Sequence, residues 1–217
     1  VRIMAVSDRI LEKLYAADVG SRYSDLDLII GCGDLPYYYL EFLTTALNTE
    51  LLYVRGNHDI GPQYTADGRV LTGVPGGIDI HGRFVIKKGL LIAGLEGSMR
   101  YRPGAPYMYS EREMSLMVMR MAPSFLWNIV RHGRGIDVLV THSPPFEIHD
   151  GRDVAHRGFK IFRTLMQYFP PKYLLHGHVH VYRQDVPRES RFKQTMVINV
   201  YPFRLLDIPM DDQIGIE

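Results

Sequence analysis

Along the chain, short runs of β-branched residues and leucine recur, each bounded by Gly, Pro or Asp: RIMAVSD, LDLIIGCGD, LLYVRGNHD, LLIAGLEG, IDVLVTHSPP, YLLHGHVH and MVINVYPFRLLDI. Runs of this length and composition predict strands. Between several of them apolar positions return with helical spacing, over residues 9–18, 38–48, 110–131 and 158–169. Strand followed by helix predicts an α/β chain with a largely buried sheet. Residues 70–95 break that rhythm, because FVIKKG and LLIAGL follow one another with no helix between them. That pattern predicts an antiparallel hairpin or a second sheet. A two-sheet core with outer helices accommodates both patterns. The stretches ADGRVLTGVPGGIDIHGR and EGSMRYRPGAPYMYS, rich in Gly, Pro and Tyr, read as surface loops that shape a site. Met114, Met117, Met119 and Met121 read as the packed face of a helix, and Tyr37, Tyr38 and Tyr39 as core and rim packing.

Composition narrows the class. The 217 residues suit one domain spanning 1–217, with 46% hydrophobic and 23% charged residues, which is neither a disordered nor a membrane composition. A net charge of +1 supplies no global field to draw nucleic acid or an acidic membrane, so neither is indicated as a partner. Cys32 is the single cysteine, which leaves no intrachain disulfide and points to a reducing compartment. No signal-peptide pattern stands ahead of the first strand, and the longest apolar runs, such as residues 90–95, are too short to span a bilayer. A cytoplasmic protein is therefore expected. Oligomeric state is not legible at this level.

The candidate chemistry sits at the ends of the apolar runs. Asp8, Asp34, Asn57 with His58 and Asp59, His142, and His178 with His180 each follow a predicted strand. In open α/β sheets the carboxyl ends of the strands line the binding crevice, so groups far apart in sequence converge there. Carboxylate, amide oxygen and imidazole together suit Mn, Fe or Zn. In an extended segment residues two apart share a side, which lets His178 and His180 reach one site while Val179 points away. The same alternation places Asp8 and Ile10 on one face and Arg9 on the other.

Taken in order, AVSD, GCGD, RGNHD, THSPP and GHVH resemble the calcineurin-like metallophosphoesterases, a family that carries D-x-H, G-D, G-N-H-[DE], H and G-H-x-H in this sequence. The resemblance spans residues 8 to 180 and implies a two-sheet β-sandwich flanked by helices on both sides. It implies a phosphoesterase acting on mono- or diesters of a small phosphorylated substrate. Two divalent ions, with Mn the first expectation and Fe or Zn as alternatives, would be bridged by a carboxylate and a water or hydroxide that attacks phosphorus. Carried over residue by residue, Asp34 bridges, Asp8 and His180 hold the first ion, and Asn57, His142 and His178 hold the second. His58 would face the phosphoryl group as transition-state stabiliser or proton donor, with Asp59 its orienting partner. The departure is Ile10, which stands where the family has the histidine of D-x-H. The first site then keeps Asp8, Asp34 and His180, enough for a weaker, more exchangeable and partly occupied ion.

Plainer roles stand beside these. Asp8 could cap a helix starting near Arg9, Asp34 and Asn57 could be turn residues, and His142 could merely end a strand. Five blocks in order favour the ligand roles. His176 reads as a structural histidine. Arg100, Arg102, His149 and His156 lie in two loops and are candidates for holding substrate, with solvated or capping roles as the alternatives. Two rival functions remain: a catalytically reduced binding module on the same fold, for which Ile10 is the best argument, and a mononuclear hydrolase using only the second site. Retention of His58 stands against the first of these.

Overall fold

The structure is a computed structural model and describes residues 1–183 and 185–209. Two sheets carry the core. The first holds β1 (Arg2–Val6), β2 (Leu28–Cys32), β3 (Leu51–Val54) and β6 (Gly77–Asp79) in parallel, with β15 (Phe203–Asp207) antiparallel on the outer side of β1. The second has the order β13 (Glu189–Phe192), β14 (Thr195–Asn199), β12 (Tyr173–His176), β11 (Val138–Thr141), β8 (Leu90–Leu95) and β7 (Phe84–Lys87). Its four central strands are parallel, and the edges β13 and β7 are antiparallel. Two small ribbons, β4 (Gln63–Tyr64) with β5 (Val70–Leu71) and β9 (Ser98–Met99) with β10 (Met108–Tyr109), decorate the loops.

The period-2 pattern of the strands explains the layering. Ile3, Ala5, Leu28, Ile30, Cys32, Leu52 and Val54 face Ile92, Val138, Val140, Leu175 and Ile198 across the gap between the sheets. The alternate residues face outward. Met4, Val6, Ile29 and Leu51 meet Leu40 and Leu43 of α2 (Tyr37–Leu47), which covers the first sheet. Ala93, Leu95, Leu139, Leu174 and Val197 meet α3 (Glu111–His132) and α4 (Lys160–Tyr168) over the second. Strands buried on both faces explain why their sequences run apolar almost without interruption. The expected α/β sandwich with helices on both sides is what forms.

Several local expectations are corrected. The helix over 9–18 is replaced by successive turns, with Leu14 and Tyr15 amides both bonded to the Leu11 carbonyl, and only α1 (Val19–Arg22) is helical. Asp8 cannot start that helix because its carboxylate is spent on the His178 amide. The run MVINVYPFRLLDI is two strands in different sheets, β14 and β15. Polar residues 189–192 form an edge strand, and part of the stretch 66–83 contributes β5 and β6, because edge pairing needs little apolar content. Met119 points to solvent, unlike the buried Met114 and Met121. The Ser110 side chain and Glu113 form a reciprocal capping box that starts α3, and Gly133 in the left-handed region ends it. Among the described residues, no helix is long and apolar enough to cross a membrane.

Candidate metal centre

Both sheets present the carboxyl ends of their parallel strands at one edge of the sandwich, and there the chain leaves β1, β2, β3, β11 and β12 into short loops. Backbone bonds lace these loops together: the Asp8 amide donates to Gly33 carbonyl at 3.1 Å, and the Gly177 amide to His142 carbonyl at 3.1 Å. Three of the site residues, Asp8 (φ 60°), Asp34 (φ 55°) and His178 (φ 67°), adopt the left-handed conformation. Non-glycine residues do so at a cost, and such positions cluster at functional sites. Close approach explains two of the glycines. A Cβ on Gly56 would lie 2.0 Å from Asp34 Oδ1, and one on Gly177 would lie 2.4 Å from Asp8 Oδ2.

Asp34, His142 and His178 bring their ligand atoms within 4.8 Å of one another. The hydrogen bonds fix which atoms these are. His142 Nδ1 lies 2.8 Å from the Cys32 carbonyl, and His178 Nε2 lies 2.7 Å from the Ala155 carbonyl. A carbonyl only accepts, so those nitrogens carry the protons, and the lone pairs sit on His142 Nε2 and His178 Nδ1. The two lone pairs face each other at 3.1 Å. Asn57 Oδ1 is 3.0 Å from His142 Nε2, and Asp34 Oδ2 is 3.4 Å from it. Asn57 Nδ2 is turned the other way, donating to the Tyr101 hydroxyl at 3.3 Å. Four acceptors thus converge, and a cation or a proton among them relieves their mutual repulsion. The donor set of two imidazoles, one carboxylate and one amide oxygen fits a divalent transition ion. With no ion, a proton takes its place: burial opposes charge on His142, but the Asp34 carboxylate beside it holds its pKa well up. Burial, and then His142, push that of His178 down. Asp34 itself is held at about 2, burial being outweighed by His142 and the His58 amide.

A cleft of about 240 Å³ opens beside this group, lined by Asp8, Asp34, His58, His156, His178 and His180. Both oxygens of Asp8 accept from the His178 amide at 3.0 to 3.1 Å, and Oδ1 lies 3.5 Å from His180 Nε2. His180 is half-exposed and stacks on Tyr201 with ring centroids 4.5 Å apart. Ile10 does not share the cleft with Asp8. The left-handed turn at Asp8 breaks the alternation, and Ile10 packs against the apolar cluster under α2. Arg9 is brought round by the same turn to lie beside Tyr201, whose ionised form its charge favours.

His58 is exposed at the cleft, and its backbone amide donates to Asp34 Oδ1 at 2.8 Å. Asp59 does not orient the His58 ring. Its Oδ2 accepts the amides of Asp34 at 2.8 Å and Gly56 at 2.7 Å, so it shapes the loop backbone instead. Burial, reinforced by Asp34, raises its pKa to about 7.

The four candidate substrate residues separate. His156 lies in the cleft with Nδ1 2.9 Å from Asp153. His149 faces away from it, with Nδ1 3.1 Å from His176 Nε2 and Nε2 2.8 Å from Ser190 Oγ. His176 donates from Nδ1 to Gly177 carbonyl, which keeps its expected structural character. Arg100 is engaged by the Met108 carbonyl and Glu113, tying the 96–110 loop to α3. Arg102 lies over the Tyr101 ring. Tyr101 is the residue that sequence reasoning missed. Along the chain it is one tyrosine of a Tyr-rich loop, and nothing in its spacing signals a contact with Asn57, 44 residues away.

The family model of the calcineurin-like phosphoesterases matches residues 6–182. No curated protein matches the sequence. Among solved structures, one crystal structure superposes with a TM-score of 0.60 at 15% identity, covering 92% of this chain and 90% of its own. The protein TT1561 of Thermus thermophilus gives 0.56 at 13% identity, covering 92% and 88%. The phosphopantetheinyl hydrolase PptH from Mycobacterium tuberculosis gives 0.52 at 13%, covering 91% and 88%. At these identities the likeness is one of fold.

Proposed function

Because this chain belongs to the calcineurin-like phosphoesterase family, we propose that it is a metal-dependent phosphoesterase with a two-metal centre, Mn being the first ion to test. The observation that carries the reading is the set of four converging acceptors, whose ring protons are committed to backbone carbonyls. Asn57, His142, His178 and Asp34 would hold the better-supplied ion, and Asp8, Asp34 and His180 the weaker one. Divalent ions held there supply Lewis acidity, lowering the pKa of water and neutralising phosphate oxygens.

The chain's own residues do the rest. Asp34 is kept ionised by its pairing with His142 and is aimed by the His58 amide. The ring of His58 lines the cleft beside the Asp34 carboxylate and would give a proton to the leaving oxygen. His156, backed by Asp153, stands on the same wall and suits contact with a phosphoryl oxygen. The cleft is large enough for a phosphoryl group and part of its substituent, which agrees with a small phosphorylated substrate. A mononuclear hydrolase is the second reading, favoured by Ile10, which stands in place of the family's histidine and packs, partly buried, against the apolar cluster under α2.

The test is hydrolysis of bis(p-nitrophenyl) phosphate and of p-nitrophenyl phosphate by chelator-stripped protein titrated with Mn, with Asp34→Asn as the contamination control. Saturable Mn-dependent turnover, absent from the variant, supports the proposal, and the metal content per chain separates one ion from two. His58→Ala should lower kcat by about 10²–10⁴ with metal content unchanged. Folded, metal-loaded protein that turns over neither substrate favours a non-catalytic role.

A further inference from the structure

Edge strand β15 of the first sheet comes beside edge strand β13 of the second, and a hollow of about 330 Å³ opens between them. The segment 185–189, which leads into β13, lines it from one side, and Arg204 of β15 lines it from the other. None of these residues belongs to the metal cleft.

The two arginines of the hollow are under-supplied with partners. Arg188 donates Nη2 to the carbonyls of Tyr201, Val200 and Asn199, the last two at 3.2 and 3.4 Å. Its Nη1 makes no hydrogen bond among the described residues, and its Nε is buried without a partner. The Arg204 side chain makes no hydrogen bond among them at all, and its Nε is likewise buried and unpartnered. The carboxylate it faces, Glu189, stops 3.7 Å from Nη2, outside hydrogen-bond distance, and is itself 53% exposed. Asp185, the other acid of the hollow, is already taken by Arg183 through two bonds of 2.9 and 2.6 Å. Two guanidinium charges thus share one loosely placed carboxylate. The strain shows in Arg188, whose pKa is pushed down by burial and then by the charge of Arg204, with Glu189 offsetting only part of it. Desolvated like charges are costly side by side, and an anion between them relieves both the repulsion and the missing hydrogen bonds.

We infer that this hollow binds a doubly charged oxyanion, of the class of inorganic phosphate or a phosphate monoester. Arg188 Nη1 and the two terminal nitrogens of Arg204 offer three free donors from two different sheets, and guanidinium forks match phosphate oxygens. Arg188 is anchored for the task, because its Nη2 is held by three carbonyls. A single carboxylate is at hand in Glu189 and does not close on either arginine, whereas a dianion answers both charges and lets Glu189 turn to water.

The test is calorimetric titration of chelator-stripped protein with inorganic phosphate at constant ionic strength, with sodium acetate as the carboxylate comparison. A saturable site is expected for phosphate and not for acetate, and glycerol 3-phosphate should compete for it. Arg204→Gln deletes a charge whose side chain makes no hydrogen bond, so the fold should hold while Kd rises about tenfold or more. Glu189→Gln removes the competing carboxylate and should lower Kd severalfold, and the opposite signs separate loss of the site from loss of the fold. Since no metal is present, these results stand whether or not the chain proves to be a phosphoesterase. A Kd unmoved by Arg204→Gln would put the phosphate elsewhere, the metal cleft included, and overturn the inference. So would acetate that binds as well as phosphate, or the absence of any saturable heat.

Discussion

Replacing Asp34 by asparagine separates a metal-holding role from a purely structural one. Asp34 Oδ1 accepts the His58 amide at 2.8 Å, and Oδ2 stands 3.4 Å from His142 Nε2. Asparagine is nearly isosteric, so its carbonyl can keep the His58 amide, but in the metal-free chain it gives up the charge that holds a proton on the buried His142. The metal-free variant should therefore itself be less stable than wild type, by about 1.5–3 kcal/mol. The metal loses one negative charge and one acceptor and meets a donor in their place. Since outer-shell partners alone are worth 10–100-fold in affinity, a loss of at least about 100-fold is expected here. Wild type at ~100 times its Kd gains about 2.7 kcal/mol from Mn, roughly 5–10 °C in Tm for a chain of this size. At the same Mn concentration the variant gains about 0.4 kcal/mol, or ~1 °C. Thermal unfolding of chelator-stripped protein with and without Mn reads both quantities. His176→Ala is the comparator: it should lower Tm in both conditions yet keep the Mn increment. An Asp34→Asn protein that keeps the full increment would refute the assignment of Asp34 as a ligand.

Tyr101→Phe removes the hydroxyl that accepts from Asn57 Nδ2 and so frees the amide to flip. Calorimetric Mn titration should give a Kd about tenfold weaker, with the Tm of the metal-free chain almost unchanged; an unaltered Kd would show that Asn57 is oriented without it. The third prediction concerns acid stability. Burial lowers the pKa of His149 to about 4 and, together with His149, that of His176 to about 3. The unfolded chain, with ordinary histidines near pH 6.5, binds protons first, so stability is full above that pH and falls as pH drops from about 6.5 toward 4. Urea midpoints measured across that window should decline, and His149→Asn, which tolerates the left-handed φ of 59°, should flatten the decline. A slope indifferent to that substitution would place the acid sensitivity elsewhere.

Much of the architecture is local in origin and therefore legible along the chain. Strand runs bounded by Gly and Asp, the helical spacing of 38–48, 110–131 and 158–169, and the hairpin formed by β7 and β8 all follow from side-chain period. The ordered blocks ending in Asp8, Asp34, Asn57, His142 and His178 name the candidate ligands, because strand ends of a parallel sheet share one edge. What the chain alone could not decide are properties of contacts between distant segments. Alternation predicted Ile10 beside Asp8 and Arg9 away from it, but alternation ends where a left-handed residue turns the backbone, and that turn is held by the bond from His178, 170 residues away. Asp59 went to two loop amides, His149 to a buried histidine pair and Arg100 to Glu113, each choice set by the nearest partner in space. The tautomers of His142 and His178, on which the cation argument rests, are fixed by the carbonyls of Cys32 and Ala155. Residue type and period determine which groups can do chemistry, but only packing decides which lone pairs are left to face one another.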